Sequence, residues 1–230
     1  MNSLSKRSGF SLIELIATVA VIFVLIGLGY AGISRARVNA QKSQSVSNLK
    51  EIGQAIMLYA ADHSGKFPLM CSSDAWQSPI WSTNTLPEYL DENRFELEGG
   101  RRIHPVFVDP MLAYDRHGTL GDYGANAEVL RGYPSYPGEG ALRISSLGNT
   151  NTAKLMMVLA AENGGAENEH GMWYINSKKL GGDVFGISRA RPSTRGTDTV
   201  LGVFADGHVE AVPEDEFAEN FRDYLLVEAE

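Results

Sequence analysis

Apolar positions crowd the front of the chain. From Leu12 to Ile33 the only charge is Glu14, and a helix of that length reaches roughly 33 Å, enough to cross a bilayer core. A stretch apolar around its whole circumference is uncommon outside membranes. A short polar leader with Lys6 and Arg7 stands before it, in the layout of an export signal. A cleavable signal peptide is the competing reading, but the run exceeds the usual apolar region of about 7–15 residues. No small-x-small cleavage site followed by a clear mature start stands out.

Past the run the pattern becomes one-sided. Val46, Leu49, Gly53, Ile56, Ala60 and His63 recur at three and four residue intervals, widened by Ile52, Met57 and Tyr59. Ser47, Asn48, Lys50, Glu51, Gln54 and Asp62 fall on the other face, which predicts an amphipathic helix. Gly65 is a natural stop with Pro68 close behind, and His63 lies in the final turn, where the helix dipole favours positive charge. The expectation is one helix from Phe10 to about Ser64, roughly 80 Å long, transmembrane over 10–33 and amphipathic over 34–65.

Residues 66–230 read as a globular α+β domain with a small antiparallel sheet. Pro68, Pro79 and Pro87 predict loops over 68–104, with a short helix near Leu86–Asn93. Val106-Phe107-Val108, Lys154–Ala161, Met172–Ile175, Val200–Ala205 and His208–Val212 are strand candidates, the last two joined at Asp206-Gly207 by a tight primed turn. A final helix starts at Pro213, with Glu214, Asp215 and Glu216 in its first turn and Phe217, Phe221, Tyr224 and Leu225 as its buried face.

Charge and cysteine usage narrow the function. Lys+Arg 20 against Asp+Glu 28 leaves a net charge of -8, so no nucleic-acid partner is expected, since that binding needs a basic surface. The lone Cys71 excludes an intrachain disulfide and every cysteine-based metal framework; it is buried, unpaired or joined between chains. Glu14 costs on the order of 2.5–3.5 kcal/mol at a bilayer centre and less near an interface, so a carboxylate there implies a partner. Were the leader cut after Gly9, Phe10 would carry a free α-amine one helical turn away.

Ser8-Gly9-Phe10-Ser11-Leu12-Ile13-Glu14-Leu15-Ile16, between a basic leader and an apolar helix, resembles the type IV prepilin cleavage and methylation signature of type IV pilins and type II secretion pseudopilins. The resemblance implies a pilin-like fold, removal of the leader 1–9 by a prepilin peptidase cutting after Gly9, and N-methylation of Phe10. It also implies assembly with copies of the chain or other pilin-like subunits on an inner-membrane platform. In that family the residue matching Glu14 pairs with a neighbouring subunit's N-terminal amine. Arg35, Arg37, Lys42 and Lys50 follow the run, so charge counting favours the opposite topology. The resemblance places the processing site on the cytoplasmic face, which makes the chain a single-pass bacterial inner-membrane protein with an extracytoplasmic, periplasmic C-terminal domain.

The order Tyr123-Gly124-Ala125-Asn126, Met157–Glu162, Val203–Val209 is similar to prepilin-like proteins with a C-terminal His-X9-Asp-Gly motif, but the histidine position is Gly196, beside Arg195. Enzyme signatures are missing: Ser47-Asn48-Leu49-Lys50 matches S-x-x-K without its companion motif, and His63, His104, His117, His170 and His208 are scattered. The chain therefore reads as a non-enzyme. Calcium is the one cofactor considered, through Glu162, Glu167, Glu169 and Asp206. The leading expectation is a structural filament subunit. An anchored binding or adhesive module and a tethered enzyme with an unrecognised site are the alternatives.

Overall fold

The computed structural model describes residues 11–71, 85–91, 96–98, 101–113, 117–118, 121–132, 140–164, 170–175, 180, 184–185 and 190–227, with backbone alone at 28–32, 96–98 and 101–102. The chain divides into two compact units, Met1–Gln41 and Lys42–Glu230. One long helix, α1 (Leu12–Asp62), contributes to both. In the first unit α1 is the described structure, and its apolar side chains from Leu12 to Ile26 are exposed.

The second unit is an α+β domain in which the later part of α1 packs on a mainly antiparallel sheet. Two short strands, β1 (Glu96–Glu98) and β2 (Arg101–Ile103), pair as a separate hairpin, where the sequence suggested loops alone. The main sheet contains β3 (Tyr123–Asn126), β4 (Met156–Glu162), β5 (Tyr174–Ile175), β6 (Arg191–Pro192), β7 (Thr199–Phe204) and β8 (Val209–Pro213). Its order is β5-β3-β4-β7-β8, with β6 pairing β4, and only β3–β5 is parallel. A second helix, α2 (Glu214–Leu225), follows β8 directly.

Both faces of the sheet are covered. Leu49, Ile52, Ala55 and Ile56 of α1 join Tyr123, Ala125, Val158, Leu201 and Val203 in one core cluster. Met156, Leu159, Val200, Phe204 and Val212 join Phe217, Tyr224 and Leu225 of α2 in the other. A central strand covered on both sides reads as a continuous apolar run, and β4 does. Its register shifts between Met156 and Val158, so Met157 and Val158 both enter the α1 cluster. The helix comes so close that a Cβ on Gly53 would stand 2.5 Å from Val203 Cγ2, which explains a glycine in the middle of the stripe.

Several expectations shift in detail. Asn48, assigned to the polar face, is buried: its amide donates to Val108 O at 3.1 Å, and its Oδ1 accepts from Gln44 at 2.9 Å. Beside it Ser45 Oγ and Tyr123 OH are 2.9 Å apart, and burial pushes the Tyr123 phenol well above its usual pKa. His63 is exposed instead of on the stripe, stacked on Tyr59 at 3.8 Å. The helix is closed by Gly65 N–H donating to Ala60 O at 2.7 Å.

Val106-Phe107-Val108 is not a strand. Pro105–Phe107 forms a 3-10 turn, because Pro105 removes a donor at its first position and His104 Nδ1 accepts from Val106 N–H at 3.2 Å. A similar turn covers Leu86–Tyr89 inside the short helix expected there. The β7–β8 connection is wider than a two-residue primed turn. Gly207 N–H donates to Phe204 O at 2.9 Å and Gly207 alone takes positive φ, at 91°, which is a type I turn closed by a glycine bulge. In α2, Phe217, Tyr224 and Leu225 are buried and Phe221 is half-buried.

Ile56→Ala should cost about 2–5 kcal/mol, because the side chain is fully buried between α1 and the sheet. Leu58→Ala, two residues on and 55% exposed, should stay within about 0.5 kcal/mol. Urea denaturation followed by circular dichroism measures both.

Candidate functional site

The first candidate site is the start of α1. Glu14 sits in its first turn, and Glu14 Oε2 accepts the Ser11 backbone N–H at 2.9 Å. This is half of a capping box, in which a glutamate in the third helical position satisfies the donor just before the helix. Carboxylate placement there also favours the helix dipole. Gly9 and Phe10, with the rest of the leader, lie outside the described residues. The helix that Glu14 caps shows apolar side chains on every side: Leu12 is 76% exposed, Phe23 69% and Ile26 61%. Among the described residues no helix is long and apolar enough to cross a membrane.

The second candidate is a buried ionic network at one end of the sheet. Arg195, with its side chain 2% exposed, points Nε at Asp109 Oδ2 at 3.0 Å and donates through Nη2 to the carbonyls of Asp122 and Ala161. Arg195 Nη1 stands 3.8 Å from Glu162 Oε2. Glu162 in turn accepts from Arg191 Nε at 2.9 Å and from Ser193 Oγ at 2.6 Å. Asp122, also buried, accepts the Asp109 and Gly118 backbone N–H groups at 2.8 and 2.7 Å and contacts His117 Nδ1 at 2.6 Å. Arg195 carries a positive φ of 53°, a costly conformation for a side-chain-bearing residue that persists only where its surroundings hold it. Here four carboxylate, carbonyl and backbone partners do so. Arg191 and Arg195 offset Glu162 and Asp109, while the third carboxylate, Asp122, is met by two backbone N–H groups and His117. Such an arrangement holds loops together, and Ser193 directs its proton to Glu162 without a histidine beside it.

The remaining sequence candidates are dispersed. Phe204 pairs with Met156, so Asp206 lies beyond one end of β4 while Glu162 ends the other. Glu162 and Asp206 therefore cannot share a calcium ion, and Glu167 and Glu169 lie outside the described residues. Among the described residues no three His, Cys, Asp or Glu side chains form a metal-binding group. Ser47 and Lys50 stand on the exposed face of α1, and Cys71 is buried without a disulfide. Asp206 accepts both the backbone N–H of His208 and its Nδ1, at 3.1 and 2.5 Å. Partial burial raises the Asp206 pKa, but these bonds outweigh it and hold the carboxyl below its usual value.

Sequence reasoning missed the Arg195 network. Its one trace was the arginine beside Gly196, at the place where the resembled motif has histidine; Asp109 and Asp122 carry no spacing that announces a partner in the 190s.

A family model described as the prokaryotic N-terminal methylation motif matches residues 4–30. That interval includes Gly9, Phe10 and Glu14, and the chain thus carries a type IV pilin-type N-terminal signal. No curated protein and no solved structure matches the chain.

Arg195→Met should cost about 3–5 kcal/mol in chemical denaturation, because Asp109 is left as a buried charge without its counter-ion. Adding Asp109→Asn should restore part of the loss. Asp206→Asn should cost less than about 1 kcal/mol at neutral pH, the contact being partly exposed. Because the folded-state pKa is depressed, that difference is present above the ordinary carboxylate range and vanishes as pH falls through it, which a pH series of thermal melts would show.

Proposed function

We propose that the chain is a prepilin-like structural subunit, a pseudopilin, of a type II secretion or type IV pilus-like filament. The methylation-motif match over residues 4–30 carries the reading, and the all-round apolar start of α1 supports it. In this account the chain divides into a leader at 1–9, an assembly and membrane-spanning helix at 10–33, its amphipathic continuation at 34–65 and the globular domain at 66–230. A prepilin peptidase cuts after Gly9 on the cytoplasmic side of the inner membrane, Phe10 is N-methylated, and the globular domain lies in the periplasm. The role is structural, without catalysis.

Assembly then exchanges lipid for protein around the apolar helix. Because lipid tails are as apolar as leucine, the exchange gains little from the hydrophobic effect, and packing plus polar pairing must supply selectivity. Glu14 supplies the pairing. One of its oxygens is held by Ser11 N–H within the chain, and the other is available to the methylated amine of a neighbouring subunit. The desolvation cost of a lone carboxylate, on the order of 2.5–3.5 kcal/mol at a bilayer centre, falls when that amine arrives.

Intact mass of the membrane-extracted protein should give one species beginning at Phe10 and carrying one added methyl group; a chain still starting at Met1 or cut downstream near Ala31 overturns the processing step. Glu14→Gln should leave cleavage intact while strongly reducing crosslinked oligomers in the native host. A wild-type protein found only as monomers there would favour the anchored binding module instead.

A further inference from the structure

We propose that, with α1 read as the membrane-spanning element, Arg35 and Arg37 form a two-sided basic collar that binds the phosphate headgroups of anionic phospholipid in the leaflet on the globular domain's side. Every charge between Glu14 and Glu51 is positive, and the first of them are Arg35 and Arg37, just past the apolar run. Both belong to the first unit, and both are exposed. Among the described residues no carboxylate pairs with either guanidinium. The chain as a whole is acidic, at -8, so this short positive stretch runs against the general charge of the molecule. Two exposed cations without a carboxylate of their own leave the counter-charge to be supplied from outside.

Position along the helix selects the source. Leu12 to Ile33 spans roughly 33 Å, about the thickness of a hydrocarbon core, so a helix threaded through that core carries residues 35 and 37 into the headgroup layer, roughly 3 and 6 Å beyond Ile33. Long cationic side chains at such a margin lay their stems along apolar surface and extend their heads to the interface. Exposed Ile33 and Val38 offer that surface here. Arrangement around the helix points to the same source. At about 100° per residue, Arg35 and Arg37 leave the axis about 200° apart, on nearly opposite sides. A protein partner lying along the helix covers one side, whereas a lipid leaflet encloses it, so both guanidiniums meet the same layer. A guanidinium takes phosphate oxygens through two parallel N–H donors, and anionic lipid adds net charge that zwitterionic lipid lacks. The pair thereby fixes the depth of the helix, a use for basic residues that charge counting reads only as topology.

The test inserts the full chain into vesicles of phosphatidylcholine mixed with phosphatidylglycerol, each lipid supplied in turn as a tracer with a photoactivatable group in its acyl chain, so that the tracers differ in headgroup alone. Resistance to alkaline carbonate extraction reports insertion separately. The expected result is an inserted chain that crosslinks phosphatidylglycerol over phosphatidylcholine, each arginine contributing about fivefold and the preference shrinking with added salt. The Arg35→Gln/Arg37→Gln double variant should crosslink the two lipids nearly equally, while Arg35→Lys/Arg37→Lys keeps most of the preference. Circular dichroism checks that both variants fold as the wild type does. Equal crosslinking by an inserted wild-type chain overturns the collar and leaves the spanning helix standing, whereas a chain that carbonate strips away overturns both. A preference that persists in the glutamine variant overturns the collar as well. So does a glutamine variant that loses crosslinked oligomers with its lipid preference intact, which assigns the pair to an acidic protein surface instead.

Discussion

An apolar helix surface in water demands cover, and the described residues of the first unit do not provide it. Leu12, Ile13, Phe23, Val24 and their neighbours are exposed on all sides of α1. A globular chain of this size ordinarily turns such residues inward, and an exposed apolar surface of this extent marks an interaction surface. The methylation motif lies on this same stretch. Chemistry and hydropathy thus concentrate in the same few turns, while the remainder of the chain is built as an ordinary folded domain around the later turns of the helix.

That later portion shows what was legible from residue order. The stripe through Leu49, Gly53, Ile56 and Ala60 is buried as spacing predicts, β4 and the β7–β8 pair lie close to their expected positions, and α2 begins directly after Pro213. These are local patterns, repeated at 3.6 or 2 residues or punctuated by glycine and proline. Contacts between distant segments were not legible. Asn48 looked like surface because its type is polar, yet Val108 and Gln44 satisfy it in the core. Nothing near Tyr174 announces parallel pairing with β3. The Pro105–Phe107 turn follows from the His104 side chain capping a backbone donor, which outweighs the strand preference of valine and phenylalanine.

The candidate chemistry divides the same way. The signal at the front was readable because its residues are contiguous. Arg195 was not, because its partners come from around residues 109, 122 and 161 and meet only after the sheet forms. A buried arginine with this many acceptors specifies loop positions more than it adds net stability, since desolvating the pair consumes much of the Coulombic gain. The calcium reading was drawn in the same way: acids close to predicted loops were counted together, and topology separates two of them, Glu162 and Asp206.

The sheet's outer strands are short or interrupted. At one margin β5 is two residues long, and at the other β8 carries Glu210 and finishes in Pro213, which has no backbone N–H to offer. Both features discourage lateral recruitment of a further chain by strand addition. Molecules crowded side by side at high local density therefore have little bare strand edge to offer one another, and the charge and terminal proline of β8 act as gatekeepers at that margin.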